Sequence, residues 1–158
     1  MYNKNLIILT FSQIFSFTAA AITVFLSGII GSSMTDEKSL VTIPAALMIV
    51  GTAAGSIFAS YTMSKQGRRF GFMLGALITS LAALISAYAV FTNLFLIYCF
   101  SNFLIGIGTS FAAQYRFAAA ESVSKNQIPK AVSMILFASI LGALIGPNLA
   151  TATKEFIS

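Results

Sequence analysis

Long apolar runs without charged residues alternate with short polar segments along the whole chain. Each run is about as long as the roughly 20 residues that an α-helix needs to cross the hydrocarbon layer of a membrane. The predicted spans are residues 6–30, 41–63, 70–91, 94–114 and 131–153. Unpaired backbone groups are costly in lipid, so each span is expected to be helical, and the runs are too uniformly apolar for a β-barrel. The pattern predicts an all-α integral membrane protein with about five transmembrane helices.

Two polar segments between these runs differ in length. A tight turn is predicted at Thr92 and Asn93, between the third and fourth spans. A longer polar stretch, residues 115–130, follows the fourth span and is predicted to be a loop.

The composition supports lipid as the solvent of this chain. Of its 158 residues, 58% are hydrophobic and only 8% are charged, whereas about a quarter of the residues of a soluble domain are charged. A soluble fold of this length could not hide so much apolar surface. The first apolar run continues to about Ile30 without a clear small-residue cleavage site, so a cleavable signal peptide is not expected.

Several functional classes are disfavoured by the residues that are missing. The sequence contains no histidine and a single cysteine, Cys99, whereas a metal site needs several converging ligands. Nucleophilic catalysis usually needs a base beside the nucleophile, and the lysines fall in predicted loops. The basic residues are spread over short loops and form no dense patch for nucleic acid. We therefore expect no enzyme activity, no metal, no cofactor and no nucleic-acid partner.

The distribution of Lys and Arg predicts the topology. Two basic residues, Lys38 and Lys154, fall on one side of the predicted spans, and the other seven fall on the opposite side: Lys4, Lys65, Arg68, Arg69, Arg116, Lys125 and Lys130. The positive-inside rule places the larger set in the cytoplasm. The N-terminus is then cytoplasmic and the end of the chain lies on the outer side of a plasma (inner) membrane. The predicted spans contain no acidic or basic side chain, so no proton-coupling carboxylate is visible in them.

The segment between the second and third spans carries the most specific motif. Residues 60–69 read S-Y-T-M-S-K-Q-G-R-R. This resembles the loop signature of the major facilitator superfamily, G-x-L-x-D-R-x-G-R-R. Gly67, Arg68 and Arg69 match the final G-R-R, and Lys65 takes the preceding basic place. Serine replaces the first glycine of the signature.

Ser64 occupies the place of the Asp in this signature. In the family that Asp helps to hold the two halves of the protein together, so the resemblance implies that the contact is weakened or moved here. Independently of the family, Gly67 permits a tight turn, including one with positive φ. Arg68 and Arg69 at the cytoplasmic face would anchor the topology and meet lipid phosphates, and positive-inside anchoring alone is the alternative interpretation.

The fifth span contains a second motif, G-A-L-I-G-P-N-L-A at residues 142–150. It resembles the G-x-x-x-G-P-x-x-G-G motif of the same family, and Gly142, Gly146 and Pro147 match. Gly142 and Gly146 share a helix face and would let a neighbouring backbone approach closely. Pro147 removes a backbone donor and is expected to bend the helix. A generic packing interface is the alternative interpretation.

The fourth span carries a weaker resemblance at residues 102–110. Gly106 and Gly108 match the family pattern R-x-x-Q-G-x-G, and Asn102 occupies the place of the Arg. That Arg is often linked to proton coupling in efflux members of the family, so the resemblance does not carry such coupling over to this chain. Family members line their substrate cavity with the first and fourth helices, which makes Gln13 and Asn102 the predicted substrate contacts. An ordinary interhelical contact is an equally good interpretation of Asn102.

Arg116 and Glu121 lie in the segment after the fourth span, which also resembles the family. We expect both near the cytoplasmic surface, where they could pair with the loop that contains Arg68 and Arg69. Solvated loop charges are the alternative.

The resemblance covers nearly the whole chain, and it implies a transporter that moves a small solute by alternating access. Residues 1–158 would be a partial N-terminal domain, because family members have about twelve spans in two halves. A truncated transporter is favoured over a short protein that acts with a partner. The expected partners are the lipid bilayer, a small-molecule solute of neutral or amphipathic character, and the missing C-terminal half. A small non-transporting membrane protein, such as an assembly factor or a channel subunit, is the rival prediction.

Overall fold

The computed structural model describes residues 4–157, with side chains for residues 4–152, so that Lys154 lies outside the described side chains. All regular elements of this described part are helical. They are α1 (Lys4–Met34), α2 (Ile43–Gln66), α3 (Arg68–Phe91), α4 (Phe95–Ala112), α5 (Tyr115–Glu121) and α6 (Ile128–Ile157), with one 3₁₀ turn at Lys125–Gln127.

Among the described residues, five helical segments are long and apolar enough to cross a membrane. They are Lys4–Met34, Ile43–Gln66, Arg68–Phe91, Phe95–Glu121 and Lys125–Ala152. The fourth of these segments combines α4 with α5. The predicted all-α fold with five membrane-spanning helices is therefore confirmed.

Two very short connections join α2, α3 and α4. Gly67 is the single residue between α2 and α3, and its N–H donates to the carbonyl oxygen of Met63 at 3.1 Å. Between α3 and α4 the tight turn predicted at Thr92 and Asn93 is present, and Asn93 has a φ of 55°. Asparagine tolerates this left-handed conformation better than most residues.

The segment after α4 is not the polar loop that the sequence pattern predicts over residues 115–130. It contains α5, the 3₁₀ turn and the first residues of α6. Ala118 and Ala119 are strong helix formers, and both are buried. Burial of this small apolar face outweighs the polar residues around it, so the short helix α5 forms within the segment.

The chain divides into two compact units, which are Met1–Phe25 with Ala113–Ser158, and Leu26–Ala112. In the first unit the beginning of α1 packs with α5 and α6. The core of that packing is formed by Leu6, Ala119, Ala131 and Ile135.

The second unit is built around α4, which packs against both α2 and α3. Ala59, Met63 and Phe111 form a buried cluster in this unit, and the rings of Phe58 and Phe111 meet edge to face with centroids 6.0 Å apart. Large apolar side chains on the outer faces of α2 and α3 stay exposed, among them Ile57 and Leu84. Such faces are expected where lipid is the solvent.

Candidate functional site

Gln13 is a buried polar residue of α1, with 4% of its surface exposed. Its Nε2 donates to Ser139 Oγ of α6 at 2.7 Å, and Ser139 Oγ donates to the carbonyl oxygen of Ile135 at 3.0 Å. A serine hydroxyl has one proton, so Ser139 must accept from the Gln13 N–H group. Gln13 Oε1 is left without a hydrogen-bond partner among the described residues.

A second polar contact lies one turn further along α1. The side chains of Ser16 and Tyr115 are hydrogen-bonded, which joins α1 to α5. Residues three apart on a helix share a face, so Gln13 and Ser16 lie on the same side of α1. In addition to the apolar core that contains Leu6 and Ile135, the first unit therefore has two polar contacts on one face of α1.

Asn102 is fully buried in α4, with 0% of its surface exposed. Its Nδ2 donates to the carbonyl oxygen of Tyr98 at 2.9 Å, and the Ser101 hydroxyl donates to the same oxygen at 2.7 Å. No hydrogen-bond partner for Asn102 Oδ1 is found in the described part of the chain. Like Gln13, Asn102 uses an N–H group within the protein and keeps an unpaired acceptor.

Gly106 and Gly108 lie on opposite sides of α4, because residues two apart on an α-helix are about 200° apart around its axis. A Cβ atom on Gly106 would meet the backbone of Met48 in α2. A Cβ atom on Gly108 would meet the hydroxyl of Thr79 and the carbonyl oxygen of Gly75, both in α3. The two glycines of the weak motif thus allow α4 to pack closely on both sides.

Thr52 and Thr109 form a polar contact between α2 and α4 that sequence reasoning missed. Their hydroxyl oxygens are 3.3 Å apart. Each hydroxyl also lies within donating distance of a carbonyl oxygen of its own helix, Met48 at 2.9 Å for Thr52 and Gly106 at 2.8 Å for Thr109. Threonine is common in transmembrane helices as such an interhelical contact, and nothing in the local pattern marked this pair.

The residues of the loop signature surround the single connecting residue Gly67, whose φ of 86° is positive. The Ser64 hydroxyl donates to the carbonyl oxygen of Tyr61 at 2.8 Å, within the last turn of α2. The Lys65 ammonium lies 5.7 Å from the centroid of the Tyr61 ring, and Arg68 Nη1 lies 3.5 Å from the Met63 sulfur. Arg69 is exposed at the start of α3.

The motif of the fifth span faces α1. A Cβ atom on Gly142 would lie 2.6 Å from the carbonyl oxygen of Ile14, and one on Gly146 would lie 2.9 Å from that of Thr18. The backbones of α1 and α6 therefore approach closely at these glycines. Pro147 lies within α6, which continues to Ile157.

Arg116 and Glu121 lie on α5 and not in a loop. The Arg116 guanidinium is 5.0 Å from the centroid of the neighbouring Phe117 ring, and Glu121 is the last residue of the helix. Pairing with Arg68 or Arg69 would join residues of the two separate units, and it stays a prediction. The same holds for a substrate cavity shared by Gln13 of the first unit and Asn102 of the second.

The part of the chain that the structure describes contains five helices long and apolar enough to cross a membrane, which is the architecture of a multi-pass membrane protein. Sequence comparisons identify its family: the model of the Major Facilitator Superfamily matches residues 6–156. The chain belongs to the major facilitator superfamily.

Three curated relatives align with almost the whole chain. The riboflavin transporter RfnT of Brucella anthropi is 32% identical over 154 residues, which are 98% of this chain and 39% of the relative. Two proteins of Bacillus subtilis, named uncharacterized MFS-type transporters YddS and YdeG, are 31% and 27% identical and align with 99% of the chain. The chain spans 36–39% of the length of these relatives. No solved structure shows a significant match.

Proposed function

We propose that this chain forms the N-terminal wall of a transporter that moves a small neutral solute across the membrane by alternating access. The observation that carries the proposal is the match of nearly the whole chain to the family and to relatives named as transporters. In folds of this kind the substrate site lies near the bilayer midplane, between two halves that rock against each other. The C-terminal half of such a transporter is the partner that would supply the opposite wall.

Each motif has a proposed role in this transporter. Gly67 with Lys65, Arg68 and Arg69 forms a short cytoplasmic connection that anchors the orientation of α2 and α3. Gly142, Gly146 and Pro147 keep α1 and α6 packed as a pair. Gln13 and Asn102 are the proposed solute contacts, and Arg116 with Glu121 forms charged contacts at the cytoplasmic surface.

The proposed location is the plasma (inner) membrane, with the N-terminus in the cytoplasm. The support is the excess of Lys and Arg in the segments on one side of the predicted spans. Lys65 and Arg68 lie at the connection between α2 and α3, Arg116 lies on α5, and Lys125 lies in the 3₁₀ turn before α6.

Riboflavin is the first solute to test, because one relative is named a riboflavin transporter. It is uncharged at neutral pH, which fits the absence of acidic and basic side chains from the predicted spans. Its isoalloxazine ring and ribityl chain also offer several N–H and O–H groups to polar side chains.

The test is uptake of labelled riboflavin by a bacterial strain that neither makes nor imports it and that expresses the complete gene product containing this chain. We expect uptake that rises with expression and that falls strongly in Arg68→Ala, while Lys125→Ala, an exposed residue of the 3₁₀ turn, serves as the matched control. If riboflavin is not taken up, the same cells are tested with a mixture of neutral nucleosides, sugars and vitamins. Uptake of none of them, with the protein present in the membrane, would contradict the transport proposal and favour a non-transporting membrane protein.

A further inference from the structure

The hydrogen bonds around Gln13 fix which end of its amide is free. The hydroxyl of Ser139 lies 3.0 Å from the carbonyl oxygen of Ile135, an oxygen that can only accept. The one proton of Ser139 therefore points at Ile135, and Ser139 offers a lone pair to Gln13. Only the Nε2 end of the amide can face that lone pair, at 2.7 Å. The oxygen Oε1 must then point away from Ser139.

The free oxygen Oε1 is a strong hydrogen-bond acceptor that is buried without a donor. Gln13 is 96% buried, since 4% of its surface is exposed, and Oε1 has no donor within the described residues. A buried acceptor that lacks a donor is destabilising, and a transmembrane helix has no bulk water nearby to satisfy it. An N–H or O–H group that reached Oε1 would therefore gain a full hydrogen bond.

We infer that Ser139 is a positioning residue, which holds the Gln13 amide so that its oxygen accepts a hydrogen bond from an N–H or O–H group of a neutral solute. This inference rests on the proposed transport function and adds to it the hydrogen-bonding character of the solute. A solute that places only hydrogen-bond acceptors beside the Gln13 oxygen could not form a hydrogen bond with it. A cation would find no carboxylate in the predicted spans to balance its charge.

The first test does not depend on knowing the solute. In a Cys99→Ser background, Gln13→Cys is compared with Ala138→Cys, because Ala138 is 1% exposed and precedes Ser139 in α6. We expect N-ethylmaleimide to label position 13 in membranes, because a solute contact must become accessible to water during the proposed cycle, and to leave position 138 unlabelled. Failure to label position 13, while an exposed position such as Ser33→Cys reacts, would overturn the inference whatever the solute is.

The second test uses a matched pair of solutes, riboflavin and the analogue methylated at its imide nitrogen, which lacks that N–H group. We expect the wild type to prefer riboflavin by about tenfold in kcat/KM, the size of one neutral hydrogen bond. Ser139→Ala should bring the ratio of the two kcat/KM values close to one, because the Gln13 amide is then free to turn. Ser139→Thr keeps the hydroxyl and should retain the preference for riboflavin. A merely structural role of Ser139 would change the uptake of both compounds equally.

The outcomes separate the two proposals. Riboflavin uptake with a ratio that neither Ser139→Ala nor Gln13→Leu changes would overturn the role of Gln13 and leave the transport function standing. If riboflavin is not taken up, it is the wrong solute, and the labelling of position 13 then decides the inference alone.

Discussion

At the scale of single residues, the buried amides show the same imbalance in two different helices. Gln13 and Asn102 each use an N–H group on an oxygen of the protein, and each keeps a carbonyl oxygen without a donor in the described part of the chain. Most buried polar atoms in native proteins are paired, so each unpaired one calls for an explanation. A missing donor at both positions is what a hydrogen-bond-donating solute, as proposed, would require.

Gly67 provides the residue-scale prediction. Its φ of 86° and ψ of 163° lie in a region that is essentially restricted to glycine, and other residues held there cost about 1–3 kcal/mol. A Cβ atom at Gly67 would meet no atom within 4 Å, so the whole effect comes from the backbone. We expect Gly67→Ala to lower the free energy of unfolding in detergent by that amount.

The matched control for Gly67 is Gly28→Ala. Gly28 lies inside α1 and also has no atom within 4 Å of an added Cβ, but its φ is not positive. Alanine favours a helix over glycine by about 1 kcal/mol, so this variant should be as stable as the wild type or more so. An equal loss of unfolding free energy in the two variants would show that the positive φ of Gly67 does not explain the need for glycine there.

At the scale of the helices, α4 is held by close backbone contacts on two sides, and the contacts differ in kind. Beside Gly106, the nearest atoms to an added Cβ belong to the backbone of Met48 and to the backbone nitrogen of Thr52. Beside Gly108, the nearest atom is the side-chain hydroxyl of Thr79. A clashing side chain can be removed by a second mutation, whereas a clashing helix backbone cannot. A second mutation should therefore recover stability beside Gly108 but not beside Gly106.

We predict that Gly108→Ala and Gly106→Ala each destabilise the protein by about 1–3 kcal/mol, as overpacking does. Thr79→Ala should recover part of the loss in the Gly108→Ala background, because it removes the nearest clashing atom. Thr52→Ala should recover nothing in the Gly106→Ala background, although it removes a similar hydroxyl. Double-mutant cycles of unfolding free energy measure both couplings, and equal recovery in the two cycles would contradict this account.

The pair formed by α1 and α6 gives a second prediction at this scale. A Cβ atom on Gly142 would lie 2.6 Å from the carbonyl oxygen of Ile14, so Gly142→Ala must push the two helices apart. We expect a loss of about 1–3 kcal/mol in unfolding free energy. Ala143→Val adds more atoms at the neighbouring exposed position and should be nearly neutral. If both variants unfold alike, the close approach at Gly142 contributes little to stability.

At the scale of the whole molecule, the sequence predicts the spans well because span length and absence of charge are properties of one segment at a time. Contacts between helices depend on which faces meet, and no local pattern encodes that. Ser139 lies 126 positions from Gln13, and Thr109 was no more conspicuous than any other threonine. The amides themselves were visible in the sequence because polar side chains are rare in apolar spans, but their free oxygens and their partners required the structure.

The error over α5 has a different physical origin. Arg116, Glu121 and the following Ser and Lys residues make the segment polar on average, which favours a loop. Only two small residues, Ala118 and Ala119, need to be buried to keep α5 helical, and Ala119 packs in the same cluster as Ala131 and Ile135. The average polarity of the segment does not reveal that two small residues on one side of it are buried.

The orientation of the whole chain is predicted by charge alone, and two cysteines can test it. Ser33 at the end of α1 and Ser124 before the 3₁₀ turn are both exposed, and they lie at opposite ends of the predicted topology. In a Cys99→Ser background, a membrane-impermeant maleimide added to intact cells should label Ser33→Cys at once and Ser124→Cys only after permeabilisation. The reason is that Lys125 and Lys130 lie close to Ser124, whereas Lys38 is the only basic residue of the Ser33 segment, and cytoplasmic loops collect the positive charge. Labelling of position 124 in intact cells would reverse the topology and place Gly67 and its arginines outside.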